Sequence, residues 1–311
     1  MSLKNFRPLK ALFTFAAITL GFVWAGSFAR CYAQSPVLSG GAILDCSGLP
    51  CIDLQLPGGQ HLKMLIDTGN ANSTLDASKA KEIGIEVKAI VGADGKPNPT
   101  YSIGTLKNIH ASDASLGDLK MLVLNLGPDI AKGSMPQSDG TLAYTAFRGR
   151  VLQLDYKRRS FGVSAVLKAS IPCPANCGEI TYPTFGKEGP PIVVATGFNV
   201  EGKPVMMQID TLYAGTMLIY STSVTKLGFS HAASGPKKRF FPFTDDGVQM
   251  IEDKASTLGF SDAILLKNAP LYFVTPSVHQ PDGMFDGTVG DELFRGHVLI
   301  LNFYQNEFSM R

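Results

Sequence analysis

The feature that most constrains this chain is an internal duplication. Residues 139–161 (DGTLAYTAFRGRVLQLDYKRRSF) align without a gap on residues 286–308 (DGTVGDELFRGHVLILNFYQNEF), with ten identities in 23 positions, where chance would give roughly one or two. Further upstream, residues 61–85 resemble residues 203–229. The period is far longer than that of a solenoid repeat. The sequence therefore predicts two copies of one unit.

Each unit is predicted to be mostly β. Short apolar runs rich in Val, Ile, Leu, Phe and Tyr are separated by many of the 32 glycines and 19 prolines, a pattern typical of short strands and turns. Each upstream copy ends in a short helical pattern before Gly84 or Gly228. We therefore expect an all-β fold with an N-terminal lobe at residues 34–168, a C-terminal lobe at 169–311, and one short helix per lobe.

The first 33 residues have the pattern of a secretory signal peptide. Three basic residues precede an uncharged run at 11–29, and cleavage is predicted after Ala33, although a run of this length also fits an uncleaved membrane anchor. The protein is therefore expected in the periplasm or outside the cell, and at a membrane only if the signal segment stays attached. Its removal takes away four basic and no acidic residues and changes the formal charge from +2 to −2, which gives no reason to expect a nucleic-acid partner.

Four cysteines follow the signal segment as two local pairs, Cys46 with Cys51 and Cys173 with Cys177. In an oxidising compartment two structural disulfides are the leading interpretation, although four cysteines allow three connectivities. A redox pair or a metal site is the alternative, but neither spacing is the C-x-x-C of those motifs. The five histidines show no metal-ligand spacing either, and no metal or cofactor is expected.

Each copy places one aspartate at the end of an apolar strand. Asp67 follows the alternating apolar residues of 62–66, and Asp210 follows those of 205–209. A carboxylate in such a place needs hydrogen-bond donors or a partner, and equivalent positions near a two-fold axis approach each other. Two adjacent carboxyls share a proton and can act as general acid and general base on a water and a carbonyl. Asp67 and Asp210 are therefore the predicted catalytic pair.

These motifs resemble those of the bipartite aspartic peptidases of the pepsin and retropepsin clan. Within that clan the chain resembles the exported aspartyl proteases of the bacterial type. The resemblance rests on residues 66–69 (I-D-T-G), 209–211 (I-D-T) and 288–290 (T-V-G), and it covers nearly all of residues 40–311. It implies a two-lobed pepsin-like acid protease fold and a monomer with both lobes in one chain. It also implies an aspartic endopeptidase that holds a peptide or protein substrate between the lobes and needs no cofactor.

The resemblance also assigns supporting roles. Thr68 and Thr211 are expected to hydrogen-bond across the axis between the lobes, and the amide of Gly69 is expected to approach the Asp67 carboxylate. The segment 97–104 (PNPTYSIG) is suited by its place in the chain to the flap over the cleft. Tyr101 is then a candidate flap residue, against the alternative of a packed or surface tyrosine.

Three positions depart from the family pattern. Leu212 stands where the second lobe of the family has glycine, and a side chain there threatens to displace the Asp210 carboxylate or block the water. Asn70 and Tyr213 replace small hydroxyl residues, and Ala143 replaces the first lobe's glycine. The alternative to a working peptidase is therefore a degenerate pepsin-fold protein that binds peptides or inhibits another peptidase.

Overall fold

The computed structural model describes residues 38–92, 94–133, 135–169, 171, 173, 176–184, 189–229, 237–238, 250–262, 264–274 and 284–311. The predicted signal segment, residues 1–33, lies outside this part of the chain. The described residues are dominated by β-strands, which confirms the predicted all-β fold class. None of the helices within them is both long and apolar enough to cross a membrane.

The strands follow the two predicted copies. The first copy contains β1 (Leu38–Ala42), β2 (Leu44–Cys46), β3 (Leu49–Gln55), β4 (His61–Asp67), β5 (Thr74–Asp76), β6 (Val87–Val91), β7 (Pro97–Ala111), β8 (Ala114–Leu124), β9 (Gly140–Ala143), β10 (Val151–Asp155) and β11 (Ser160–Ser164). The second copy contains β12 (Gly178–Thr181), β13 (Val194–Val200), β14 (Lys203–Ile209), β15 (Met217–Ile219), β16 (Lys237–Lys238), β17 (Met250–Phe260), β18 (Ile264–Val274), β19 (Gly287–Val289), β20 (Val298–Asn302) and β21 (Glu307–Met310).

The two copies pair their strands in the same order. In the first copy the order is β3-β4-β9-β5-β8-β7-β6, and in the second it is β13-β14-β19-β15-β18-β17-β16. The strand that carries each aspartate runs parallel to the strand of the downstream repeat, β4 with β9 and β14 with β19. The duplication inferred from the sequence is therefore a duplication of the fold.

A further set of strands joins the copies. The order β1-β11-β10-β20-β21-β12 continues the sheet of the second copy and takes three strands from each copy. At its centre β10 and β20 pair antiparallel, with Gln153 opposite Ile300 and Val151 opposite Asn302. Gln153 and Ile300 are also aligned in the sequence repeat. Because the central pair consists of equivalent residues, a local two-fold axis passes through it, as in a self-complementary dimer interface.

Short helices follow the strands of both copies. Helix α1 (Ala77–Glu82) and helix α3 (Ser221–Leu227) lie where the sequence places them, but α2 (Gly127–Ala131), α4 (Asp291–Phe294) and a 3-10 helix (Tyr144–Phe147) are also present. The prediction of one short helix per lobe was therefore too low. The additional helices have four or five residues, too few to show an amphipathic period in the sequence.

The cysteine pairs of the sequence both lie at disulfide distance. Cys46 and Cys51 flank the turn between β2 and β3, and their Cα atoms are 5.9 Å apart. Cys173 and Cys177 precede β12, with Cα atoms 6.1 Å apart. Cys51 is fully buried, so the first disulfide also forms part of the core beside the strand that carries Asp67.

Candidate active site

The two aspartates emerge from buried strands at equivalent points. On β4, Leu62, Met64 and Ile66 are fully buried, as alternate residues of a strand with one face on the core should be. Asp67 ends that strand opposite Ala143 of β9. In the second copy the backbone N–H of Asp210 donates to the carbonyl oxygen of Val289, 3.0 Å away. Each aspartate is thus fixed by a parallel strand from its own copy.

The threonines after the aspartates hydrogen-bond to each other's copy. The Thr68 hydroxyl donates to the carbonyl oxygen of Ile209 at 2.8 Å, and the Thr211 hydroxyl donates to that of Ile66 at 2.5 Å. The backbone N–H of Thr68 donates to the Thr211 hydroxyl oxygen at 3.2 Å, and that of Thr211 donates to the Thr68 hydroxyl oxygen at 3.1 Å. Both threonines are fully buried. The four reciprocal bonds join the two aspartate loops across the local axis.

The two carboxyl groups converge on Gly69. The backbone N–H groups of Gly69 and Asn70 donate to the Asp67 carboxylate, as does the Asn70 side chain. A Cβ atom at Gly69 would lie only 2.5 Å from Cγ of Asp210, so the second carboxyl packs directly on this glycine and leaves no room for a side chain. Asp210 Oδ1 in turn accepts the N–H of Leu212 at 2.8 Å and that of Tyr213 at 3.2 Å.

Burial raises the pKa of both carboxyl groups. Burial raises the pKa of Asp67 well above its usual range, the Asp210 charge raises it further, and the hydrogen bonds from Asn70 and Gly69 oppose the shift. Burial raises the pKa of Asp210 to about 6, against the two N–H groups that it accepts. Two neighbouring carboxyls in a poorly solvated site hold one proton between them over a wide pH range.

A series of hydrogen-bonded side chains from the second copy supports Gly69, and no sequence motif pointed to these residues. The Gln208 amide donates to the carbonyl oxygen of Gly69 at 3.0 Å. The Thr288 hydroxyl donates to Gln208 Oε1 at 3.2 Å and lies 3.0 Å from the Tyr220 hydroxyl. These contacts hold the glycine backbone on the side away from its own copy. The residue equivalent to Gln208 in the first copy is Leu65. A polar residue in one repeat where the other has an apolar one is the sequence difference that could have pointed to Gln208.

Leu212 lies inside an apolar cluster and is only 5% exposed. All other buried members of the cluster come from the first copy: Cys46, Leu49, Cys51, Leu65, Leu126 and Met135. The side chain therefore reaches across the local axis into the core of the other copy. This contact anchors the loop that carries Asp210. The buried packing gives Leu212 a structural role, as an alternative to the obstruction of the carboxylates that the sequence suggested.

The other departures from the family pattern have local explanations. Gly290 packs against the Tyr213 backbone, where a Cβ would lie 2.0 Å from the Tyr213 carbonyl oxygen. At the equivalent position of the first copy, the Ala143 N–H donates to the Ser73 hydroxyl oxygen at 3.0 Å. Asn70 takes up a polar role as a donor to Asp67, whereas its counterpart Tyr213 is buried in an apolar cluster.

Tyr101 lies on a hairpin formed by β6 and β7. The register shifts between Ala89 and Val91, so residues 98–101 bulge out of the pairing, and Asn98 Oδ1 accepts the N–H groups of Thr100 and Tyr101. Tyr101 is 41% exposed. Its assignment to a flap stays a prediction.

A cavity of about 390 Å³ connects this hairpin with the loop that follows Gly69. Residues from both sides line it: Ala71, Asn72, Ser73, Ile103, Met121 and Thr145. Ile103 belongs to β7 and is 39% exposed. The hairpin therefore contributes a side chain to a cavity that begins two residues after the first triplet.

The match to known families falls on the first copy. Residues 52–145 match the family model described as "Aspartyl protease", and this segment contains Asp67, Thr68 and Gly69, whereas Asp210 follows it. No curated protein matches the chain significantly. Within the described residues, no group of three or more His, Cys, Asp or Glu side chains is arranged to hold a metal ion. The first copy is therefore similar to the aspartyl proteases of the retropepsin-like clan.

Proposed function

We propose that this chain is an aspartic endopeptidase whose active site is the pair Asp67 and Asp210. The observation that carries the proposal is the convergence of the two carboxyls on Gly69, with Asp67 buried, Asp210 partly buried and each supplied by one copy. The reciprocal bonds of Thr68 and Thr211 supply the rigidity that such a pair needs. The similarity of residues 52–145 to aspartyl proteases supports the same chemistry.

The pair would work as a combined acid and base. With one proton shared between the carboxyls, the ionised oxygen takes a proton from a water molecule while the protonated carboxyl gives its proton to the substrate carbonyl oxygen. The oxygen of the water bonds to the carbonyl carbon and forms a tetrahedral diol. When the C–N bond breaks, the protonated carboxyl passes its proton to the leaving nitrogen while the ionised carboxyl takes a proton from one hydroxyl of the diol, and the products are a new carboxyl terminus and a new amine. The pair returns to its singly protonated form.

The raised pKa values set the pH range in which this cycle runs. Activity requires one proton on the pair, so it falls when the pair gains a second proton and when it loses its last one. Because burial raises the pKa of Asp210 to about 6 and raises that of Asp67 well above its usual range, we expect activity at mildly acidic to neutral pH and little at strongly acidic pH.

The remaining assignments follow from this proposal. A single chain supplies both aspartates, so a monomer is sufficient for activity. The substrate is an extended peptide or protein segment, with the cavity beside Ala71 and Ile103 as a candidate side-chain subsite. Paired cysteines suit an oxidising compartment, and with the N-terminal signal pattern they support export to the periplasm or beyond.

Digestion of a mixed peptide library between pH 3 and 8 tests the proposal. Wild type should cut internal peptide bonds, and Asp67→Asn and Asp210→Asn should each lose at least about a thousandfold in kcat, as removal of one member of an acid–base unit does. Asp113→Asn is the matched control, because Asp113 is exposed at the turn after β7. Cleavage that survives in either variant of the pair would refute the assignment. Peptide binding without turnover at every pH would instead support the degenerate binding protein.

A further inference from the structure

A second pocket lies beside the joining strands and shares no lining residue with the aspartate loops. It has a volume of about 440 Å³, within the usual range for small-molecule sites. Four of its eight lining residues are aromatic (Tyr144, Tyr182, Phe303 and Tyr304), and Arg148 and Asn306 are among the polar ones. The pocket is built from the 3-10 helix of the first copy and from segments next to β12 and β20 of the second.

The aromatic wall is held in place. The ring centroids of Tyr144 and Tyr182 are 5.7 Å apart in a stacked arrangement, and Phe303 lies 6.0 Å from Tyr144. The Tyr144 hydroxyl donates to the carbonyl oxygen of Pro191, and the Tyr182 hydroxyl donates to Asn306 Oδ1, both at 3.2 Å. Tyr144 is itself buried, so the exposed parts of the Tyr182 and Tyr304 rings are those that a ligand can reach. Tyr182 is 36% exposed and Tyr304 is 45% exposed.

The duplication shows what is unusual about Arg148. In the second copy the equivalent arginine, Arg295, pairs with Asp291 at 3.0 Å. In the first copy Tyr144 takes the place of that aspartate, four residues before Arg148. Among the described residues no carboxylate forms an ion pair with Arg148. The first copy has therefore kept the cation, lost its internal counter-charge and gained an aromatic ring.

The charge of Arg148 reaches into the pocket. Burial raises the pKa of Tyr182 to about 12 and the Arg148 charge opposes this shift. Burial also raises the pKa of Tyr144, again against Arg148. The guanidinium is exposed to solvent, so it is available to an anion that enters along the rings.

We propose that this pocket binds an aromatic carboxylate. The carboxylate would take the position on Arg148 that Asp291 holds on Arg295, and the ring would lie against Tyr182 and Tyr304. A planar guanidinium binds a carboxylate through two parallel hydrogen bonds, and aromatic rings gain from offset or edge contacts. The chemistry fits either a free aromatic acid or the C-terminal aromatic residue of a peptide.

Isothermal titration of the full chain tests the proposal with three probes. N-acetylphenylalanine carries both recognised groups, its amide lacks the carboxylate, and a hexapeptide that ends in phenylalanine presents the same groups at a chain end. We expect the acid to bind about tenfold or more tightly than the amide, the effect of losing a charge-assisted pair. Binding of the hexapeptide as tightly as the acid indicates peptide ends, and binding of the small acid alone indicates a free acid.

Variants locate the binding. Arg148→Gln should reduce the affinity for the acid to that for the amide and leave the affinity for the amide unchanged. Tyr304→Ala should weaken both, and it removes an exposed ring that the fold does not need. Lys157→Gln is the matched control, because Lys157 is exposed and occupies the position equivalent to Tyr304 in the other copy. Equal affinity for acid and amide, full affinity in Arg148→Gln, or no binding of the acid up to 10 mM, a weak but measurable range, would each overturn the proposal.

Discussion

Replacing Leu212 by glycine would make the second triplet identical to the first, and we expect it to damage the protein. Leu212 is 5% exposed and lies among first-copy residues that include Leu65 and Leu126. Removing a buried leucine side chain down to Cβ costs about 2–5 kcal/mol. The further change to glycine adds about 0.4–1 kcal/mol through the greater freedom of the unfolded chain. The free energy of unfolding should therefore fall by about 2–6 kcal/mol.

The same change should lower activity beyond its effect on stability. The Leu212 N–H is one of the two donors to Asp210 Oδ1, so a loop that has lost its apolar anchor no longer holds this carboxyl in place. Urea unfolding measures the stability, and kcat on a peptide substrate, measured well below the unfolding midpoint, measures the geometry.

Leu126→Ala is the matched control, since it removes apolar volume from the same cluster at a residue outside the Asp210 loop. Both variants should lose stability, but only Leu212→Gly should lose a large part of kcat. If Leu212→Gly unfolds at the same urea concentration as wild type, or if its kcat rises, Leu212 is not an anchor of the Asp210 loop but an obstruction at the carboxyl pair.

Further outcomes concern the carboxyl pair and its supports. Asp210→Asn should be more stable than wild type at pH 7 by at most about 3 kcal/mol, because a folded pKa near 6 makes the native state lose stability as the pH rises through that value. Unfolding at pH 3.5, where the carboxyl is protonated in both states, should show almost no gain; an equal gain at both pH values contradicts the pKa assignment. Thr211→Val leaves Thr68 N–H and the Ile66 carbonyl without their buried partner, so thermal unfolding should show a loss of about 2–4 kcal/mol. Gly69→Ala should abolish peptide cleavage, since its Cβ would lie 2.5 Å from Cγ of Asp210; wild-type kcat in this variant would rule out the observed packing.

The repeat in the sequence was sufficient to predict the fold class. Apolar alternation before Asp67 and Asp210 gave the strands, and the alignment of the copies required each to build the same sheet. The short helices at 127–131 and 291–294 were missed because so few residues carry no periodic signal. The sheet that joins the copies was missed as well, since its central strands, β10 and β20, pair through residues about 147 positions apart and no local pattern encodes such a partner.

The site was harder to predict than the fold because its decisive contacts cross the local axis. Leu212 looked like a lost glycine when only its own triplet was considered, and its apolar environment comes from residues 46–135 of the other copy. Gln208 attracted no attention within an apolar strand, yet it donates to Gly69 from the opposite copy. Both contacts depend on tertiary packing, which hydrophobic periodicity along one strand does not report.

The two differences between the copies are linked through the local axis. The first copy has Leu65 and Gly69 where the second has Gln208 and Leu212. The apolar residues of these two pairs lie in one cluster, and the polar residue bonds to the glycine. A change in one copy alone would leave the Gln208 amide buried without its partner, or would leave a cavity where Leu65 and Leu212 pack, and each of these lowers the stability of the fold. The substitution of Leu212 for glycine in the second triplet is thus one half of a paired change, and Gln208 is the other half. In the second copy an apolar anchor, Leu212, took the place of glycine, whereas in the first copy Gly69 keeps the space beside the two carboxyls.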